Sequence, residues 1–128
     1  MTSKSFENYE SAQALQESEK FFWTHFTDSY LELVKGRTWS APGTVLSTAQ
    51  EKAKASAVHS TRFALKNFLK LFAPFTPYTV DEVWRWAFAD ESKSVHTVRF
   101  PTAAEFEGIA EGNPEVFDAA MAAQAAVN

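Results

Sequence analysis

The stretch STAQEKAKASAVHSTRFALKNFLKLFAP, residues 47–74, decides the fold class, because it holds no glycine and no proline before its last residue. Ser47 or Thr48 is the predicted N-cap, and Glu51 stands three residues after Thr48, as a capping box requires. Pro74 ends the helix, since proline has no N–H to donate and restricts the residue before it. The sequence therefore predicts one long amphipathic helix, whose inward residues are Val58, Leu65, Phe68, Leu69 and Phe72.

A second helical region precedes this one, over residues 7–35, as one long helix or as two helices end to end. Gly36 is its predicted stop, with Lys35 in the last turn, where the helix dipole favours a cation. The run Phe21–Trp23 spans about 200° of helix, so one ring must face a second layer, a neighbouring domain or a ligand. The apolar stripe of this region is predicted to consist of Leu15, Phe22, Phe26, Tyr30 and Leu33.

The rest of the chain holds shorter elements and almost no strand signal. Residues 38–46 are predicted to form a connection, and a capping-box pattern at Thr79–Glu82 opens a third helix that contains Val83, Trp84 and Phe88. Residues 90–102 are predicted to be irregular, and within them Val95–Phe100 is open to an extended conformation. A last helix is predicted from Pro114 through Val127. We therefore expect one all-α domain over residues 1–128, an antiparallel helical bundle whose main contact joins the two long helices.

Composition excludes several classes of protein. The 128 residues are 45% hydrophobic and 15% aromatic and include no cysteine, which rules out disulfides, thiolate metal sites and thiol catalysis. No apolar run approaches the ~20 residues of a membrane helix, no targeting segment is visible, and we expect a cytoplasmic protein. The three histidines, His25, His59 and His96, lie in different elements, and no metal-ligand or phosphate-loop spacing is present. We predict neither catalytic residues nor a metal site in this chain.

The net charge of -4 excludes a uniformly basic nucleic-acid binder, but the charge is unevenly distributed. Residues 38–73 hold five Lys or Arg and one acid, whereas residues 103–128 hold five acids and no Lys or Arg. On a helix, five basic side chains of this region, one of them a histidine, lie within about 80° of one another around the axis and extend about 27 Å along it. This cationic row consists of Lys52, His59, Arg62, Lys66 and Lys70. It is either a solvated helix face or a surface that attracts phosphates.

Trp39, in the connection, has two possible roles. It is either a hydrophobic plug that covers the core or an exposed ring on which a ligand stacks.

Three motifs carry a family resemblance. FFWTHFTDSYLELVKGR (21–37), LKLFAPFTPYTVDEVW (69–84) and SVHTVRFP (94–101) resemble the anticodon-binding helical domain of class I aminoacyl-tRNA synthetases. The likeness covers about residues 6–101 and leaves 102–128 as a C-terminal helical extension. Within this family the chain is most similar to the bacterial valyl type, while the second motif is shared with isoleucyl and leucyl enzymes. The departures from the pattern are Thr27, Ser29 and Phe100.

The resemblance implies a module that holds the anticodon stem-loop of a tRNA, within a monomeric enzyme that attaches valine to tRNA with ATP and Mg²⁺. The catalytic domain and its cofactors would lie outside this chain. From charge and periodicity, the candidate tRNA-binding residues are Lys35, Arg37, Lys52, Arg62, Lys66 and Lys70 for phosphates, and Trp39 for stacking. Two alternatives remain: an isoleucyl- or leucyl-type module, and a non-enzymatic bundle that binds other proteins.

Overall fold

The computed structural model describes residues 8, 10–107 and 113–127, and within them every regular element is helical. The elements in chain order are α1 (Ser11–Phe21), a π-helical segment (Phe22–Tyr30), α2 (Leu31–Thr38), α3 (Thr48–Phe72), α4 (Pro77–Ala87), two 3₁₀ turns (Val95–Thr97 and Ala103–Phe106) and α5 (Pro114–Val127). The predicted all-α fold is confirmed. The start of the first helical region, predicted at residue 7, lies outside the described residues.

The first helical rod, from α1 through α2, packs antiparallel to α3 through aromatic rings. The Phe22 ring lies 5.6 Å from that of Phe72 and 5.1 Å from that of Phe68. Farther along the rod, Val34 lines the same groove as Val58, which is nearer the start of α3. Ring pairs at these separations contribute beyond the area they bury. This pairing is the main contact that the sequence predicts.

The inward face of the rod differs from the predicted stripe at both ends, because Ala14 rather than Leu15 is buried near its start. Val34 is buried, whereas Leu33 is half exposed, so the prediction for Leu33 is wrong by one position. The prediction for Val58 on α3 is also wrong, because Val58 is 46% exposed. The helix passes through Gly36 and ends at Thr38, so Gly36 is not its stop.

A four-residue repeat explains the π-helical segment in the middle of the rod. Side chains that are buried or packed on α3 recur every four residues at Ala14, Ser18, Phe22 and Phe26 and again at Val34, and Ser29 is buried as well. A step of four residues overshoots one α-helical turn by about 40°, so such a stripe would wind away from α3. A π-helical turn holds more than four residues, and the same step then falls short of a turn. Alternating the two geometries keeps the stripe facing α3.

The N-terminus of α3 is capped one residue earlier than the pattern with Glu51 predicts. Ser47 is the N-cap, and its Oγ accepts a hydrogen bond from the Gln50 N–H at 3.3 Å. The Gln50 Oε1 in turn accepts from the Ser47 N–H at 2.9 Å, so the capping box pairs Ser47 with Gln50. The helix ends at Phe72, before Pro74, as predicted.

The capping box predicted at Thr79–Glu82 is wrong, because α4 already begins at Pro77. Asp81 instead bonds across to the following loop, where its Oδ1 accepts from the Ser94 hydroxyl and, at 3.0 Å, from the Val95 N–H. This contact holds residues 95–97 in a 3₁₀ turn rather than the extended conformation left open for Val95–Phe100.

The core centres on Trp84 of α4 and on Phe88, which lies one residue beyond the end of this helix rather than within it as predicted; both side chains are fully buried. The Trp84 Nε1 donates a hydrogen bond to the Ser92 carbonyl at 2.9 Å, so the indole is satisfied inside the core. Leu69 of α3 and Val80 of α4 pack in the same cluster. The predicted last helix is present as α5. Among the residues that the structure describes, no helix combines the length and apolar character needed to cross a bilayer.

Candidate nucleic-acid interface

The C-terminal end of the cationic row is not available to a ligand. Lys70 is 7% exposed, and its Nζ lies 2.7 Å from the Glu105 Oε2. This hydrogen bond lowers the pKa of Glu105 below its ordinary value, although partial burial acts in the opposite direction. Lys70 is therefore part of an internal ion pair, and its prediction as a free phosphate contact is corrected.

Carboxylates that follow α4 also pair with the middle of the row. The Lys66 Nζ contacts Glu91, and Arg62 lies 3.6 Å from Asp90. The Arg62 guanidinium carbon also lies 4.6 Å from the centre of the Phe88 ring, a cation–π contact. The expectation of unpaired cations is thus corrected for Arg62 and Lys66 as well, although the pair of Arg62 with Asp90, like that of Lys35 with Glu32, is exposed and restrains the cation only weakly. The pairing carboxylates stand in a turn and a 3₁₀ segment that a helical projection of α3 alone does not include.

The N-terminal part of the row remains open. Lys52 and His59 are exposed on α3, and Arg37 is exposed at the end of α2. Within the described part of the chain, neither Arg37 nor Lys52 forms an ion pair. The Lys35 Nζ lies 3.3 Å from the Glu32 carboxylate, and both side chains are mostly exposed. Because exposed ion pairs contribute little to stability, Lys35 can exchange this partner for another anion. Four predicted site residues therefore share one open end of the bundle: Lys35, Arg37, Trp39 and Lys52.

A small cleft lies at this end, between the last turn of α2 and the first turns of α3. We call it the Trp39 cleft; its volume is about 120 Å³. Its walls include Gly36 and Arg37 of α2, Trp39 and Ser40 of the connection, and Gln50 and Ala53 of α3. Trp39 is 71% exposed, so it is not a hydrophobic plug.

Lys54 fixes the position of the connection that carries Trp39. Its Nζ donates a hydrogen bond to the Ser40 Oγ at 2.9 Å, which ties the connection to α3. Sequence reasoning missed Lys54, Ser40 and Gln50 at this end. For Gln50 the signal was present, because Gln stands three residues after Ser47, as a capping box allows.

The structure is therefore an all-α bundle with antiparallel packing and one exposed aromatic and basic end. A family model described as the anticodon-binding domain of tRNA ligase matches residues 1–128. The chain belongs to this family.

Curated relatives include proteins named valine–tRNA ligase. The one from Leifsonia xyli subsp. xyli is 44% identical over 76% of this chain, and the one from Bifidobacterium longum (strain DJO10A) is 39% identical over 86%. The one from Thermobifida fusca is 37% identical over 89% of the chain. These matches cover 10%, 12% and 12% of the relatives, so the chain spans about a tenth of their length. No solved structure matches the chain significantly.

Proposed function

We propose that residues 1–128 form one module that binds the anticodon stem-loop of tRNA within a valine–tRNA ligase. The observation that carries the proposal is the family membership of the whole chain, together with the open basic and aromatic end of the bundle. In this role the module holds the distal end of the tRNA while the rest of the protein attaches valine to the acceptor end. ATP and Mg²⁺ would be bound by that remainder, which we expect to act as a cytoplasmic monomer.

The chemistry of the open end fits an RNA loop better than a regular duplex. Lys35, Arg37 and Lys52 supply positive charge for phosphates, which provide affinity without reading sequence. Trp39 supplies an exposed ring, and RNA loops are recognised through unstacked bases that lie on aromatic side chains. The relatives named above are valine–tRNA ligases, which favours the valyl type over the isoleucyl and leucyl alternatives.

The test is tRNA binding as a function of salt concentration. We expect the plot of log affinity against log salt to lose about 0.7–0.9 in slope when Arg37→Ala removes one phosphate contact. Lys20→Ala is the matched control, because it removes the same charge from an exposed site at the end of α1. Lys20 and Arg37 lie on opposite sides of the π-helical segment along the rod.

A second comparison separates anticodon recognition from general RNA binding. Valine tRNA should bind more tightly than the same tRNA with a substituted anticodon. Equal affinity for both would contradict anticodon recognition. Binding that does not depend on salt would contradict any phosphate contact at the open end and would favour a module that binds proteins.

A further inference from the structure

Gly36 lies at a position where neither backbone geometry nor packing requires glycine. It is inside α2, which continues to Thr38, and it does not have a positive φ. A Cβ built at Gly36 meets no atom within 4 Å outside its own helix, so a side chain has room. Glycine inside a helix lowers stability relative to alanine, because it loses more conformational freedom on folding. Gly36 therefore lowers the stability of the helix, and no contact or backbone geometry in the described part of the chain explains why glycine stands there.

The location of Gly36 suggests what the missing side chain leaves room for. Gly36 lines the Trp39 cleft, so bare backbone forms part of one wall. The exposed Trp39 ring and the Arg37 side chain belong to the same cleft. Glycine is the usual residue where a ligand must approach the backbone closely.

We propose that the Trp39 cleft receives one unstacked base of a single-stranded or looped RNA. The base lies over the backbone at Gly36 and stacks on Trp39, while Arg37 contacts the adjoining phosphate. The cleft has a volume of about 120 Å³, which is too small for a helix or a folded peptide segment. Base–aromatic stacking is favourable for every base, and Arg adds a cation that recognises phosphate. This inference rests on the proposed function, because it names the part of the RNA that the open end takes.

Gly36→Ala is the decisive variant, because its effects on stability and on binding have opposite signs. We expect a higher melting temperature, since alanine favours the helix and its Cβ meets no neighbour. We also expect at least threefold weaker binding of a stem-loop with unpaired loop bases and unchanged binding of a blunt duplex. Ser60→Ala is the matched control, because it raises helix propensity at an exposed site on α3 outside the cleft and should leave both affinities unchanged.

Trp39 provides an independent variant. Trp39→Ala should weaken stem-loop binding at least threefold, and Trp39→Phe should restore part of it, because a smaller ring still stacks. A short single-stranded RNA that contains 2-aminopurine supplies a direct readout, since stacking on the indole quenches its fluorescence. We expect quenching by the unmodified chain and reduced quenching by Gly36→Ala and Trp39→Ala.

The outcomes distinguish the cleft from the proposed function. If both cleft variants bind the stem-loop like the unmodified chain while tRNA binding stays salt-dependent, the cleft proposal is overturned and the proposed function stands. If tRNA does not bind, but the 2-aminopurine fluorescence of the single-stranded RNA is quenched by the unmodified chain and less by Gly36→Ala and Trp39→Ala, the cleft proposal stands and the proposed function is overturned. If neither RNA binds, both are overturned.

Discussion

At the scale of single residues, carboxylates decide which cations of the chain are available. Glu105 pairs with Lys70 across 35 residues of sequence, and its Oε1 also accepts from the Thr102 N–H at 3.2 Å. The two partners differ in environment, because Lys70 is 7% exposed whereas the Glu105 side chain is 31% exposed. The cost of breaking the pair should therefore depend on which partner is removed.

Glu105→Gln is expected to destabilise the chain more than Lys70→Met. The first change leaves a buried ammonium group without its carboxylate, and losing a hydrogen bond to a charged group costs about 1.5–3 kcal/mol. The second keeps an apolar side chain of similar length and leaves a carboxylate that water can reach. Urea unfolding of both variants measures the difference. Equal losses would contradict the asymmetry in burial.

Asp81 makes the stability of the α4 region dependent on pH. The Ser94 hydroxyl is the largest cause that lowers the pKa of Asp81 below its ordinary value of 3.8, and the Val95 N–H and Arg85 act in the same direction. The unfolded chain therefore binds a proton at Asp81 at a higher pH than the folded chain does. The stabilisation is complete above the unfolded pKa and is lost as the pH falls through the folded one.

We expect the melting temperature to fall as the pH drops below about 4. Asp81→Asn should flatten this dependence, because asparagine does not titrate. Glu105→Gln should flatten it at slightly higher pH, because the pKa of Glu105 is lowered from 4.5. The measurement is the slope of melting temperature against pH in each variant, rather than the melting temperature at one pH. A slope that Asp81→Asn leaves unchanged would assign the acid sensitivity to other groups.

At the scale of elements, the π-helical segment keeps one face of the rod against α3. Phe26 stands at the middle of the four-residue repeat, and its ring lies 5.0 Å from that of Phe68. Trp23 belongs to the same segment, but it is 55% exposed. The two aromatic residues therefore test whether the inward face or the segment as a whole carries the stability.

Phe26→Ala should cost about 3–5 kcal/mol, because it removes a buried ring and leaves a cavity. Trp23→Ala should cost clearly less, since more than half of that side chain is already in water. Chemical denaturation of both variants gives the two free energies of unfolding. Similar losses would indicate that the exposed side of the segment contributes as much as its packed side.

The elements that could be predicted from sequence are those with local signals. Pro74 ends α3 by its own chemistry, and the buried positions of Phe68 and Leu69 follow from helical spacing. Leu33 and Val34 could not be separated in this way, because an assumed α-helical period places the stripe one residue early after a π-helical segment. Tertiary packing against α3 selects Val34.

At the scale of the whole molecule, the accessible charge differs from the charge on any one helix. The open end with Arg37 and Trp39 could be predicted from sequence, because these two residues are close in sequence and Arg37 forms no ion pair within the described residues. The closed part of the row could not, since Asp90, Glu91 and Glu105 reach α3 only through the path of the chain after α4. Helical projection therefore overestimates the cationic surface.

Removing the carboxylates that pair with the row shows whether its paired cations can bind RNA at all. Asp90→Asn with Glu91→Gln releases Arg62, which is half exposed, and Lys66 from their carboxylates. If released cations can reach phosphates, tRNA affinity at low salt should rise about two- to fivefold, since exposed ion pairs are worth up to about 1 kcal/mol. The salt slope should become steeper, because additional phosphate contacts release more counterions.

The control for this change is Glu10→Gln with Glu19→Gln, which alters the net charge equally at exposed positions before and within α1. A gain confined to the Asp90–Glu91 variant would mean that internal carboxylates restrict RNA to the open end of the bundle. An equal gain in both variants would instead reflect the overall field of the molecule, which acts on any approaching polyanion. In that case Arg62 and Lys66 serve only the fold, and Arg37, Lys35 and Lys52 with Trp39 remain the whole candidate interface.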